Sequence, residues 1–205
     1  MKQIIVMMAA AVLVGCGEKD LREPQAKNPQ TPKATSTKLI VDPIVEKAVR
    51  ESLEKPEGIL TEADLEKVTE LGLSATKITD EGLKEVAKLQ NITELYLIDT
   101  KITDAGLKEV AKLQNLEELR LDDTQITDVG LKELANMQKL KRFTLGDTHI
   151  SDAGLREVAK LQKLKELNLG GTLPFTGKTT DKGLKEVAKL QKLEQLWLSG
   201  TQITD

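Results

Sequence analysis

The chain has 205 residues and a formal net charge of −3, with 39% hydrophobic, 31% charged and only 2% aromatic residues. Such a composition supports a buried core built from regular aliphatic layers, and its acidic balance argues against nucleic acid as the main partner. The single cysteine, Cys16, and the single histidine, His149, exclude an intramolecular disulfide, a His/Cys zinc site and a Cys–His catalytic pair within a folded domain.

Lys2 precedes a run from Ile4 to Val14 that carries no charged or polar group. Eleven residues are too few to span a bilayer, which takes roughly 20, but they suit the apolar region of a signal peptide. The run ends in Leu13-Val14-Gly15-Cys16, which resembles the lipobox of bacterial lipoproteins. The resemblance implies that residues 1–15 are removed and that Cys16 is diacylated as the first mature residue. In enterobacterial lipoproteins Asp after the cysteine retains the protein at the inner membrane; Gly17 here points to the outer membrane. Residues 16–40, with Pro24, Pro29 and Pro32 among polar residues, show no apolar period and read as a disordered tether. A flexible chain of that length separates its ends by roughly 25–30 Å.

Residues 41–67 read as a helical cap. Asp42-Pro43 opens an amphipathic helix through Ile44, Val45, Ala48, Val49 and Leu53, which Pro56 and Gly58 end. Thr61-Glu62-Ala63-Asp64 has the form of a capping box before Leu65 and Val68. Two short helices leading straight into a repeat array resemble the N-terminal caps of bacterial internalin-like proteins.

From residue 68 to 205 one unit recurs. Thr-Asp-Xaa-Gly-Leu and its close variants place glycine at 82, 106, 130 and 154, a spacing of 24, and again at 183 after 29. Between these marks the pattern L-x-x-L-x-L-x-x-T-x-L is legible, as in Leu116, Leu119, Leu121, Thr124 and Ile126. Leu-Xaa-Leu alternates with the period of a strand, and Leu83, Val86 and Ala87 with their equivalents form the buried stripe of a helix. The chain is identified as a leucine-rich-repeat protein, similar to the cysteine-containing and ribonuclease-inhibitor-like branches, with about five full units and a truncated last one. The implied fold is α/β, a solenoid with short parallel strands on the concave face and helices on the convex face. Thr at 76, 100, 124, 148, 172 and 201 stands where the family has Asn or Cys, and is expected to bond neighbouring backbone as a ladder. The following Asp, or the Thr before it, is the expected cap of the next helix.

The residue between each pair of strand leucines faces outward: Gly72, Tyr96, Arg120, Thr144, Asn168 and Trp197. This column holds the sole Tyr and sole Trp, types enriched at binding hot spots, although tolerated surface residues would look the same. Glu94 and Glu118 flank it and Asp122 lies just beyond the strand, so the concave side is expected to be acidic and to favour a protein or peptide with a cationic segment. The candidate binding residues are therefore Tyr96, Arg120, Thr144, Asn168, Trp197, Glu94, Glu118 and Asp122. The acids lack the Asp-rich, Gly-turned loop of a calcium site, and no metal or cofactor is expected. Neither a phosphate loop nor a nucleophile elbow occurs, so a binding module is favoured over an enzyme, with a structural envelope protein as the alternative. The five extra residues within 173–178, which include Phe175, are expected to bulge as a loop. The array stops at Thr204-Asp205, where another helix should start, and an uncapped edge there invites self-association.

Overall fold

The computed structural model describes residues 38–171 and 179–201. Cys16, the expected signal peptide, the expected tether up to residue 37, Thr172 and the insertion around Phe175, and residues 202–205 with Ile203 lie outside the described residues.

Helix α1 (Pro43–Ser52) starts as its sequence dictates. Asp42 accepts hydrogen bonds from the N–H groups of Ile44 and Val45 while Pro43, which has no N–H to satisfy, takes the first turn. Its stripe of Val45, Ala48 and Val49 is buried against the array. The short α2 (Glu62–Leu65) is closed by a reciprocal Thr61–Asp64 capping box, and Lys55 Nζ reaches the same aspartate at 2.7 Å.

Six three-residue strands follow: β1 (Glu70–Gly72), β2 (Glu94–Tyr96), β3 (Glu118–Arg120), β4 (Arg142–Thr144), β5 (Glu166–Asn168) and β6 (Gln195–Trp197). They form one parallel sheet in chain order, with Leu71 beside Leu95, Leu119, Phe143, Leu167 and Leu196 in unbroken register. Helices α3 (Asp80–Val86), α4 (Asp104–Val110), α5 (Asp128–Leu134), α6 (Asp152–Val158) and α7 (Asp181–Val187) alternate with the strands and pack each on the next. A three-residue strand cannot stand alone. The repeated unit supplies what it lacks: in the second copy, for example, Leu95, Ile102, Leu107 and Val110 bury a strand leucine, a turn isoleucine and two helix residues together. The result is an α/β leucine-rich-repeat solenoid with a continuous aliphatic core, in which Phe143 is the one ring among the described residues. Thr179, at the place of the turn isoleucine, is buried as well.

Among the described residues the turn threonines do bond neighbouring backbone, but within their own copy rather than as a ladder from one copy to the next. Thr76, Thr100, Thr124, Thr148 and Thr201 each donate the hydroxyl to the carbonyl three residues earlier in their own repeat, at 2.5–2.8 Å. They close the turn after the strand and satisfy a carbonyl that the sheet leaves over. Asp99, Asp123 and Asp147 complete that turn with φ of 52°, a left-handed conformation that Asp tolerates better than most residues.

The ladder between repeats is carried by the aspartate of Thr-Asp-Xaa-Gly-Leu, which does not cap its own helix. Thr79, Thr103, Thr127, Ser151 and Thr180 are the caps, each accepting an N–H of the first helical turn. The aspartate reaches forward one repeat instead. Asp80 accepts the N–H of Thr103 at 2.9 Å and its hydroxyl at 2.7 Å. Asp104 holds Thr127 in the same way, Asp128 holds Ser151, and Asp152 holds Thr180. One hydroxyl thus donates to the previous repeat and accepts from its own helix. The glycine of the motif makes room for this clasp, because a Cβ at Gly106, Gly130, Gly154 or Gly183 would collide with the aspartate of the repeat before.

Asp104→Ala removes two charge-assisted hydrogen bonds and should destabilise the fold by about 2–3 kcal/mol in urea melts. Gly130→Ala should also destabilise, and the double variant should lose less than the sum, because the shortened side chain frees the space that the new methyl needs. Burial opposes ionisation of Asp152, but the N–H and hydroxyl of Thr180, the N–H of Gly183 and the charge of Lys182 outweigh it and hold the carboxyl below its ordinary range. A lowered folded-state pKa gives stability that is present above the unfolded value, about 3.9, and lost as pH falls through the folded value. Thermal melts from neutral to acid pH should therefore show a steeper acid loss for wild type than for Asp152→Asn.

Candidate functional site

Parallel register sets the outward column side by side. Gly72, Tyr96, Arg120, Thr144, Asn168 and Trp197 are successive cross-strand neighbours on the concave surface. With adjacent strands roughly 4.8 Å apart, the column forms a continuous line across the sheet.

Its N-terminal part is a closed polar cluster. The Arg120 guanidinium carbon lies 5.0 Å from the centre of the Tyr96 ring, a cation–π stack. The Tyr96 hydroxyl donates to Glu94. Burial first, then this bond and the charges of Glu118, Glu94 and Glu70, push the phenol well above its ordinary range, so it remains a neutral donor. Glu118 is only 2% exposed and lies beneath two guanidiniums. Arg120 Nε reaches its Oε1 at 2.6 Å, Arg142 bonds its other oxygen, and Arg142 also approaches Glu94 at 3.6 Å. The bond to Glu118 raises the pKa of Arg142 further, against burial, with Glu94 and Glu166 adding to it.

The C-terminal part is open. A groove of about 530 Å³ runs over β4, β5 and β6. Of the eight expected residues it gathers six: Arg120, Thr144, Asn168, Trp197, Glu118 and Asp122. Tyr96 and Glu94 do not line it and belong to the polar cluster beside it. Trp197, 44% exposed, and Arg142 both line the groove. Gly146, Gly170 and Gly171 line it too, where the preceding repeats carry Ile98, Asp99, Asp122 and Asp123. Gly146 has a packing reason as well, since a Cβ there would strike the carbonyl of Gly170 and the carboxylate of Asp122.

The expectation that Glu118 and Asp122 present free charge to a cationic segment needs correction. Glu118 is committed to Arg120 and Arg142. Asp122 accepts the hydroxyl of Thr144 and, at 2.9 Å, the N–H of Gly146. Asn168 is similarly engaged, accepting the N–H of Gly170 at 2.8 Å. These three shape the groove rather than offer it unpaired charge. The candidate list omits Arg142, whose position on the strand edge reads as ordinary surface. It also omits the glycines, whose contribution is an absence of side chain and leaves no chemical signature.

A leucine-rich-repeat family model matches residues 65–87, 88–111 and 112–135. Together with the six-stranded parallel sheet, this supports the leucine-rich-repeat solenoid fold. Among solved structures it is similar to an internalin C2 from Listeria monocytogenes, at 28% identity and a TM-score of 0.59, covering 80% of this chain and 76% of that one. An internalin F from the same organism has the same fold at 22% identity and a TM-score of 0.51, covering 80% of this chain and 58% of that one. No curated protein matches the chain.

Replacing Glu118 with Gln leaves two guanidiniums facing each other without their carboxylate. Loss of about 1–3 kcal/mol is expected in urea melts, together with weaker near-ultraviolet dichroism from Tyr96 as Arg120 leaves its ring.

Proposed function

We propose that this protein is a binding module that takes a protein or peptide segment in the concave groove over β4–β6, and that it is held at the bacterial cell envelope by lipid on Cys16. The observation that carries the binding reading is Trp197, a large half-exposed aromatic beside a groove whose floor is cleared by glycines and whose polar walls are already hydrogen-bonded. Such a surface loses little on desolvation and offers an apolar anchor, the arrangement of a binding hot spot. The volume is in the range that admits a few side chains rather than a globular face. Hydrogen bonding of Glu118, Asp122 and Asn168 within the wall favours shape and apolar contact over attraction of a cationic segment as the basis of recognition.

The anchoring part rests on Lys2, the apolar run to Val14 and Leu13-Val14-Gly15-Cys16, and Gly17 favours the outer membrane. The chain up to residue 37 then serves as a spacer, Leu39 and Ile40 being packed on the repeat domain, and residues 41–67 cap the repeats from 68 onward. Substitution of the usual thiol by Thr in each turn suits an oxidising envelope compartment.

Crosslinking in the native envelope identifies the partner, and its affinity is then measured with purified protein. Trp197→Ala should weaken binding by about tenfold or more, while Lys77→Ala, outside the groove, should leave it unchanged. Equal affinity of Trp197→Ala and wild type would reject the groove and favour a structural envelope role.

A further inference from the structure

One flank of the solenoid changes its chemistry half-way along the array. In the turns that lead from helix to strand, Asn91 and Asn115 donate their side-chain amides to the carbonyls of Glu66 and Gln90 in the repeat before, at 2.7 and 2.9 Å. The same position in the next three repeats holds Lys139, Lys163 and Lys192, all exposed. A structural bond has been exchanged for a row of charges. Lys139 donates to Asn115 Oδ1 at 2.6 Å, and Lys163 and Lys192 have neither ion pair nor hydrogen bond among the described residues. Lys160 and Lys189 lie at the helix ends beside them, and Lys141 and Lys165 at the strand starts. Each of these four pairs with a glutamate at the surface, a kind of pair that costs little to exchange for another anion.

The excess positive charge belongs to this half alone. Residues 38–134 carry 13 basic and 22 acidic side chains, whereas residues 135–205 carry 12 and 8. Chain entry lies on the same side. Lys88, the first member of the row that continues as Lys112, Lys160 and Lys189, donates to the Leu39 carbonyl at 3.0 Å, and the Val41 N–H donates to Glu85 at 3.2 Å. The segment leading into the domain therefore runs along the helix side near the start of the lysine row.

We propose that this flank, centred on Lys139, Lys163 and Lys192, rests on anionic lipid headgroups and orients the solenoid on the membrane. The proposal rests on the lipid-anchor reading for its geometry. A membrane touches one side of the molecule, so the acidic N-terminal half and concave acids need not approach it. A polyanion free in solution would meet the field of the whole acidic protein. Each lysine near an anionic surface adds to the attraction, and the effect falls off within a Debye length, so it is sensitive to salt.

The test uses the full lipidated chain with vesicles of phosphatidylcholine alone or mixed with phosphatidylglycerol. A fluorophore is placed on the flank through Gln162→Cys, or on the opposite side through Lys77→Cys, and a headgroup-located quencher reports proximity. Wild-type background should float with both vesicle types, with affinity about tenfold higher for the anionic ones at low salt. The label at 162 should be quenched on anionic vesicles only, and the label at 77 on neither. The K139E/K163E/K192E variant should still float with phosphatidylcholine but lose both the preference and the quenching. Equal quenching at the two positions, or a preference that survives the triple reversal, would overturn the proposal. If wild type does not float with phosphatidylcholine, the anchor reading fails by itself. Salt-sensitive binding to the anionic vesicles that requires the three lysines would then still support the flank, and its absence would overturn it.

Discussion

The solenoid depends on a carboxylate that crosses from one repeat to the next. Asp80, Asp104, Asp128 and Asp152 each accept both the N–H and the hydroxyl of the residue that caps the following helix. Hydrophobic burial supplies most of the attraction between copies, but it is non-directional and would tolerate sliding. The clasp is directional. It fixes helix against helix while the parallel ladder fixes strand against strand, and the two together set the register that brings the outward column into line.

This contact also shows how far the sequence can be read. Strands, helices, cap and the side from which Tyr96 and Trp197 project follow from periodicity, because periods of two and of about 3.6 report directly on which side of an element is apolar. The destination of the motif's aspartate does not. Beside a helix start, Asp reads equally well as a local cap, and its actual partner is 23 residues away. Only the glycine hinted at a close approach, without saying by what. The burial of Glu118 is hidden for a related reason: an acidic residue at a strand edge looks exposed in sequence, and the arginine that folds over it lies on the next strand, 24 residues on.

Within the candidate site, the sequence conveyed the column but not its division into a closed and an open part. Closure at Tyr96, Arg120 and Arg142 comes from long side chains lying along the sheet, a choice of rotamer that composition does not encode. Opening over β4–β6 comes from glycines at Gly146, Gly170 and Gly171, which appear in the sequence as ordinary turn residues. The groove and the polar cluster are thus two uses of the same face of the sheet. Large charged residues fill the surface in one half, and small residues together with one indole leave space in the other.

The clasp has a last consequence for the way such a chain changes over generations. In each described joint an aspartate grips a cap residue that carries a hydroxyl, Thr or Ser, so the aspartate of one copy fits the cap residue of another. The joint between α6 and α7 illustrates the tolerance: Asp152 grips Thr180 across 28 residues with the same two bonds that span 23 elsewhere. Units are therefore interchangeable parts, and duplication, deletion or lengthening of one leaves the couplings on either side intact. Array length, and with it the extent of the concave surface, can drift freely while the joint itself stays under strict chemical constraint.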